Sequence, residues 1–126
     1  MWAALPGFGG SALLYPYLLT EGPRRGLRIP RIVEIASTNP ARAFGLAPAK
    51  GAIGIGADAD LAIIDMNTTH VVSTERLLSA QDFTPFEGME LSGWPVQTLL
   101  RGQVALRNGE PVGAPSGVYL REQRAV

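Results

Sequence analysis

Few side chains in this sequence are placed to do chemistry. Its one histidine, His70, stands between the polar stretch Asn67-Thr68-Thr69 and the apolar pair Val71-Val72. A catalytic zinc needs three protein ligands drawn from His, Asp, Glu or Cys. One imidazole and no thiolate cannot build a histidine-based cluster within this chain, so His70 reads as a surface residue on a strand edge. Asp58 and Asp60 are the best carboxylate pair. Two apart in an extended segment, they point to one side, an arrangement that suits a metal or acid–base work. The simpler reading is structural, with aspartates at the entry to a strand tying down turn amides.

The remaining candidates carry less. Gly51, Gly54 and Gly56 resemble a phosphate loop only in spacing, since no Gly-Lys-Ser/Thr ending and no helix follow them. Ser73, Ser79, Ser92 and Ser116 have no neighbouring base, and no Gly-x-Ser-x-Gly elbow occurs. Arg101, at a strand end, could hold an anion, but a solvated or carboxylate-paired guanidinium is the simpler use. The residues by themselves nominate no catalytic group and no metal ligand.

The elements that must position these residues divide the chain in two. Gly7, Gly9 and Gly10 mark a loop, and Ser11 is placed to cap a helix through Leu13, Leu14, Leu18 and Leu19 that Pro16 should kink. Pro30 suits the first turn of a second helix with Ile32, Val33, Ile35 and Ala36 on its apolar side. Asn39-Pro40 reads as the cap and first residue of a third, very short helix that Gly45 stops. From Lys50 the period changes to two. Ile53 and Ile55 alternate with glycines, and Leu61–Ile64 read as a strand buried on both faces. Val71-Val72 read as a short strand after the polar turn. Val96, Thr98 and Leu100 alternate, and Asn108-Gly109 is a strong hairpin signal. About five short strands are expected.

Composition sets the outer limits. The chain has 126 residues, enough for one compact domain but short of the roughly 200 that a complete eight-stranded β/α barrel needs. Eleven basic and eleven acidic residues cancel, and no basic stripe is present, so nucleic acid is a poor partner. The absence of cysteine suits a cytoplasmic protein. Residues 1–20 carry no charge, yet three glycines and two prolines interrupt them. A membrane span needs about 20 predominantly apolar residues, so this stretch reads as a buried segment of a soluble protein.

Taken in order, these motifs carry a resemblance. Residues 38–51 (TNPARAFGLAPAKG) and 52–65 (AIGIGADADLAIID) resemble a signature of the amidohydrolase superfamily. In that family the passage runs from the last barrel helix into the accessory β-sandwich of the cyclic amidohydrolases, the hydantoinases, dihydropyrimidinases, dihydroorotases and allantoinases. Residues 83–110 (FTPFEGMELSGWPVQTLLRGQVALRNGE) are similar to the closing strands of the same proteins. Phe86-Glu87-Gly88-Met89 and the ending Gly117–Arg121 look most like hydantoinases and dihydropyrimidinases.

The resemblance implies an α+β chain: residues 1–48 as terminal helical elements of a barrel, residues 49–126 as part of a composite, mainly antiparallel β-sandwich with its tail. It implies hydrolysis of cyclic amide C–N bonds at a centre of two divalent metals, usually zinc. The His-x-His pair, carboxylated Lys, further His and Asp of that centre have no counterpart here, and Lys50 falls in the turn entering the sandwich. This chain alone is therefore expected to be inactive and to hold no cofactor. Gly7 and Phe8 occupy the loop that crosses the family's active-site mouth, so their backbone groups, with the Phe8 ring shaping the pocket, are the substrate-binding candidates in a complete enzyme. The expected partner is the missing N-terminal part of the enzyme or a second chain, with homo-oligomers forming through exposed strand edges. A non-catalytic assembly module or one subunit of a split enzyme are the competing readings.

Overall fold

The computed structural model describes residues 7–77 and 79–120. Helices come first and a four-stranded antiparallel sheet follows, as expected for an α+β chain. A short 3₁₀ turn (Ser11–Leu13) leads into α1 (Leu14–Arg24). Helix α2 (Ile29–Val33) then runs through a π-helical turn (Glu34–Thr38) into α3 (Asn39–Ala43).

Prolines and caps fall differently from the sequence reading. Ser11 makes no capping hydrogen bond, and Gly10 occupies the cap position. Pro16 lies in the first turn of α1, where a missing N–H breaks no bond within the helix, and its ring is buried. Asn39 is no cap either; its backbone is helical (φ −67°, ψ −44°), because the chain arrives from α2 already coiled. Pro40 cannot donate to a carbonyl four residues back, and the widened π turn just before it accommodates that loss. Pro30 does sit in the first turn of α2, and Gly45 ends α3 at φ +64°.

The strands β1 (Leu61–Val71), β2 (Glu90–Leu100), β3 (Gln103–Arg107) and β4 (Glu110–Pro111) are ordered β1-β2-β3-β4. Four strands replace the expected five because Leu61–Ile64 and Val71 belong to a single strand that passes through Asn67–Thr69. The pairing of β1 with β2 shifts between Asp65 and Thr69, so the polar stretch is a bulge and not a turn. The Asp65 carboxylate holds it by accepting the Asn67 N–H (2.9 Å) and the Thr68 hydroxyl (2.6 Å). Ile53 and Ile55 join no strand and lie in an exposed loop. Asn108 and Gly109, at φ +51° and +86°, make the expected tight hairpin between β3 and β4.

Helix α1 lies on β2. Gly93, at φ +79°, takes a left-handed conformation directly under Leu19, where an added Cβ would come within 2.9 Å of the Leu19 side chain. Beside this contact Leu13, Val72, Leu77 and Leu91 form the buried core, with Tyr17, Phe86, Met89 and Trp94 packed around it. Much apolar surface stays outside. Phe44 is 72% exposed and Ile53 90%. Ala62 and Ile63 are exposed as well, so the run Leu61–Ile64 is not buried on both faces. Leu61, Ala62 and Ile64 border a cavity of about 240 Å³ whose other walls include Tyr15, Val33 and Ile53. The accessible surface is 9307 Å². A compact monomer of 13.4 kDa exposes about 6,500 Å² by the usual surface–mass scaling.

Candidate functional site

Phe8 leaves the Gly7 turn (φ +89°) half exposed and lays its ring edge-on against Phe86, 5.7 Å between centroids. Tyr17 of α1 also packs on Phe86, in a tilted contact with 5.4 Å between centroids. With Leu14 and Leu18 these rings line an apolar groove of about 480 Å³. Aromatic pairs in such tilted and edge-on contacts contribute roughly 0.5–1.5 kcal/mol beyond burial. What seats Phe86 is the turn Thr84–Gly88. Buried Thr84 accepts the Glu87 N–H on its carbonyl (3.3 Å), and the Glu87 carboxylate accepts the Thr74 N–H (3.1 Å). The sequence reading names Phe8 as a substrate-binding candidate but does not group it with Tyr17 or Phe86. Their signal was the Thr-Pro-Phe-Glu-Gly turn, which fixes the central ring.

Asp58 and Asp60 act structurally. The Lys50 ammonium contacts both, at 2.7 Å from Asp58 Oδ2 and in a short hydrogen bond with Asp60. Asp60 also accepts the Arg101 N–H (2.7 Å), tying the loop after the helices to the β2–β3 turn. Burial raises the Asp60 pKa, but the Lys50 hydrogen bond and the Arg101 amide outweigh it and hold the carboxyl below its ordinary value. Lys50 is pushed up by the hydrogen bonds it donates to Asp58 and then Asp60. Lys50 was thus the missed member of this group, hidden because eight and ten residues separate it from its partners.

His70 lies in β1 at the sheet edge, its ring 5.3 Å from Trp94. Trp94 Nε1 donates to the Leu91 carbonyl (2.6 Å). A cleft of about 450 Å³ opens beside them, with Glu75, Arg76 and Glu110 on its walls. The Arg101 guanidinium donates to the Ser116 carbonyl (2.5 Å), so a backbone oxygen takes the place of an anion or carboxylate.

A two-metal centre does not fit these residues. Among the described residues no group of three or more His, Asp or Glu side chains converges. The best acidic pair already surrounds an ammonium ion, and His70 lies apart from it.

Helices leading into a four-stranded antiparallel sheet make this chain an α+β unit. The family match settles which unit. The amidohydrolase family matches residues 10–105, and the chain belongs to that family. It is 42% identical over 109 residues to a D-hydantoinase of Geobacillus stearothermophilus, covering 85% of this chain and 23% of that one. With an allantoinase of Rubrobacter xylanophilus it shares 41% over 125 residues, 98% of this chain and 27% of the other. The structure of an L-hydantoinase (dihydropyrimidinase) from Arthrobacter aurescens superposes with a TM-score of 0.73 at 38% identity, over 78% of this chain and 22% of that one. The chain therefore spans about a quarter of the length of the curated relatives it matches. No helix among the described residues is long and apolar enough to cross a membrane.

Proposed function

We propose that this chain is the C-terminal portion of a metal-dependent cyclic amidohydrolase that opens hydantoin- or dihydropyrimidine-type rings. Residues 1–48 supply terminal helical elements of its barrel, and residues 49–126 part of its β-sandwich. The observation that carries this reading is the unequal coverage: 85% of this chain aligns with 23% of a D-hydantoinase. The exposed apolar residues of both halves, Phe44 and Ile63 among them, agree with faces made to meet the rest of such an enzyme.

In the complete enzyme, Gly7 and Phe8 border the ring-binding pocket. Backbone groups of the Gly7 turn meet the cyclic amide, and the Phe8 ring, packed on Phe86, forms an apolar wall. The hydrolytic centre is supplied by the missing part or by a second chain, and this chain alone is inactive. The test is to purify the 126-residue chain, add zinc, and measure both bound metal and ring opening of hydantoin and dihydrouracil. Neither stoichiometric metal nor turnover is expected; two bound zinc ions with turnover would overturn the proposal. A second reading, a non-catalytic assembly module, is favoured by β1, which pairs on one side only among the described residues. It predicts that adding the metal-bearing part of a relative restores no activity.

A further inference from the structure

The hairpin dipeptide Asn108-Gly109 takes no part in the proposed site, and its chemistry goes beyond shaping a turn. The chain has three asparagines, Asn39, Asn67 and Asn108, and all three are exposed. What separates them is the next residue, because an asparagine side chain is open to attack by the backbone nitrogen that follows it. After Asn39, Pro40 has no N–H to give up. After Asn67, Thr68 is β-branched, and its hydroxyl is tied to Asp65 (2.6 Å). Gly109 carries no side chain, and the space where a Cβ would stand is empty to 4 Å. Asn108 and Gly109 also border the open cleft beside His70, so water reaches both.

We infer that Asn108 is a site of spontaneous covalent modification, which turns it into aspartate and isoaspartate and, in the isoaspartyl form, releases β4. The Gly109 nitrogen, its proton taken by hydroxide, attacks Asn108 Cγ and closes a succinimide ring. The Cγ–Nδ2 bond breaks, and that nitrogen leaves as ammonia with a proton from water. Water then opens the ring at one of its two carbonyls, and nothing is oxidised or reduced. Breaking the ring at Cγ gives aspartate. Breaking it at the main-chain carbonyl gives isoaspartate, with the chain now running through Cβ and Cγ. The closed turn holds the reaction in check, since the Asn108 N–H is donated to the Val96 carbonyl (2.8 Å) and φ is fixed at +51°. Only a two-residue β4 and the Val112 N–H on the Ala105 carbonyl (2.9 Å) keep it closed, and such short edges open locally. Isoaspartate lengthens the main chain by one C–C bond, about 1.5 Å. A two-residue turn that sets Arg107 opposite Glu110 cannot absorb that, because loop length fixes hairpin register. The inference concerns this hairpin and stands whether or not the proposed enzyme reading does.

Incubating the 126-residue chain at mildly alkaline pH, with peptide mapping by mass spectrometry, tests the inference. Conversion at Asn108 should run at least about tenfold faster than at Asn67, be absent at Asn39, and speed up as pH rises. Each event adds one negative charge to a chain whose eleven basic and eleven acidic residues cancel, so isoelectric focusing should show a new acidic band. Asn108→Gly, which keeps a residue suited to positive φ but has no carboxamide, should abolish that band. In the isoaspartyl form, isolated by chromatography, hydrogen exchange at the Val112 amide should quicken while that at the Ser92 amide stays unchanged. A rate at Asn108 no higher than at Asn67, or the same acidic band from Asn108→Gly, would overturn the site. Unchanged exchange at Val112, or equal acceleration at Ser92, would overturn the release of β4.

Discussion

Thr20 and Ser92, 72 residues apart, hold each other by two hydrogen bonds: the Ser92 N–H donates to Thr20 Oγ1 (2.9 Å), and the Thr20 hydroxyl donates to the Ser92 carbonyl (3.2 Å). One hydroxyl from α1 thereby satisfies both backbone groups of a β2 residue. The same residue's side chain bonds the Thr69 hydroxyl (2.7 Å), so helix, central strand and edge strand meet at Ser92.

Thr20→Val keeps the shape and removes both bonds. Leaving part-buried backbone groups unsatisfied should cost about 1–3 kcal/mol. Thr20→Ser, which keeps the hydroxyl, should lose well under half of that. Urea unfolding midpoints of the two variants check the difference.

Gly93 and Gly109 both adopt positive φ but differ in surroundings. A Cβ at Gly109 meets nothing within 4 Å, so Gly109→Ala should cost only the left-handed backbone strain, roughly 1 kcal/mol. Gly93→Ala adds a collision with Leu19 and should cost about 2–4 kcal/mol in total. Pairing Gly93→Ala with Leu19→Ala should recover part of the loss if the collision is its source.

Phe86 contacts the rings of both Phe8 and Tyr17, whereas Phe8 contacts one ring among the described residues and is half exposed. Phe86→Ala should therefore destabilise by about 2–3 kcal/mol and Phe8→Ala by less than about 1 kcal/mol. Thermal unfolding of the two variants measures this. On the proposed role of Phe8 in a complete enzyme, Phe8→Ala should raise KM there.

The Lys50–Asp60 pair sets a pH window. The Asp60 pKa is lowered on folding, so its contribution is complete above the unfolded value of about 4 and is lost as pH falls through the lower folded value. The Lys50 pKa is raised, so its contribution is complete below the unfolded value of about 10.4 and is lost as pH rises through the higher folded value. Unfolding midpoints should be flat between these limits and fall outside them. Asp60→Asn should shrink the acid limb; an acid limb identical to wild type would show that other carboxylates cause it.

Local chemistry was readable from the sequence wherever one or two residues decide it. Asn108-Gly109 forces a tight hairpin, and Gly45 stops α3, because their backbone conformations are set by residue type. Asn39-Pro40 was misread because the same dipeptide can open a helix or sit inside one, and only the helical turn already in place behind it decides. The strand through Asn67–Thr69 was hidden for a related reason: a bulge places turn-forming residues within a ladder. The grouping of Lys50 with the two aspartates, and of Phe8 with Phe86, depends on contacts between distant segments that no periodicity encodes.

The loop at residues 51–57 carries the most exposed isoleucines in the molecule and is bridged on both sides. Lys50, just before it, grips Asp58 and Asp60 just after it, and the Thr38 hydroxyl donates to the Gly51 carbonyl (2.8 Å). Thr20 and Ser92 join the same two regions farther out. Chain continuity through this loop is thus nearly redundant with the contacts around it. A protease nick at Gly54 should leave two pieces that stay together, and the two halves, expressed separately, should find each other. A gene could be divided, or an insertion accepted, at this position with little loss of the assembled structure.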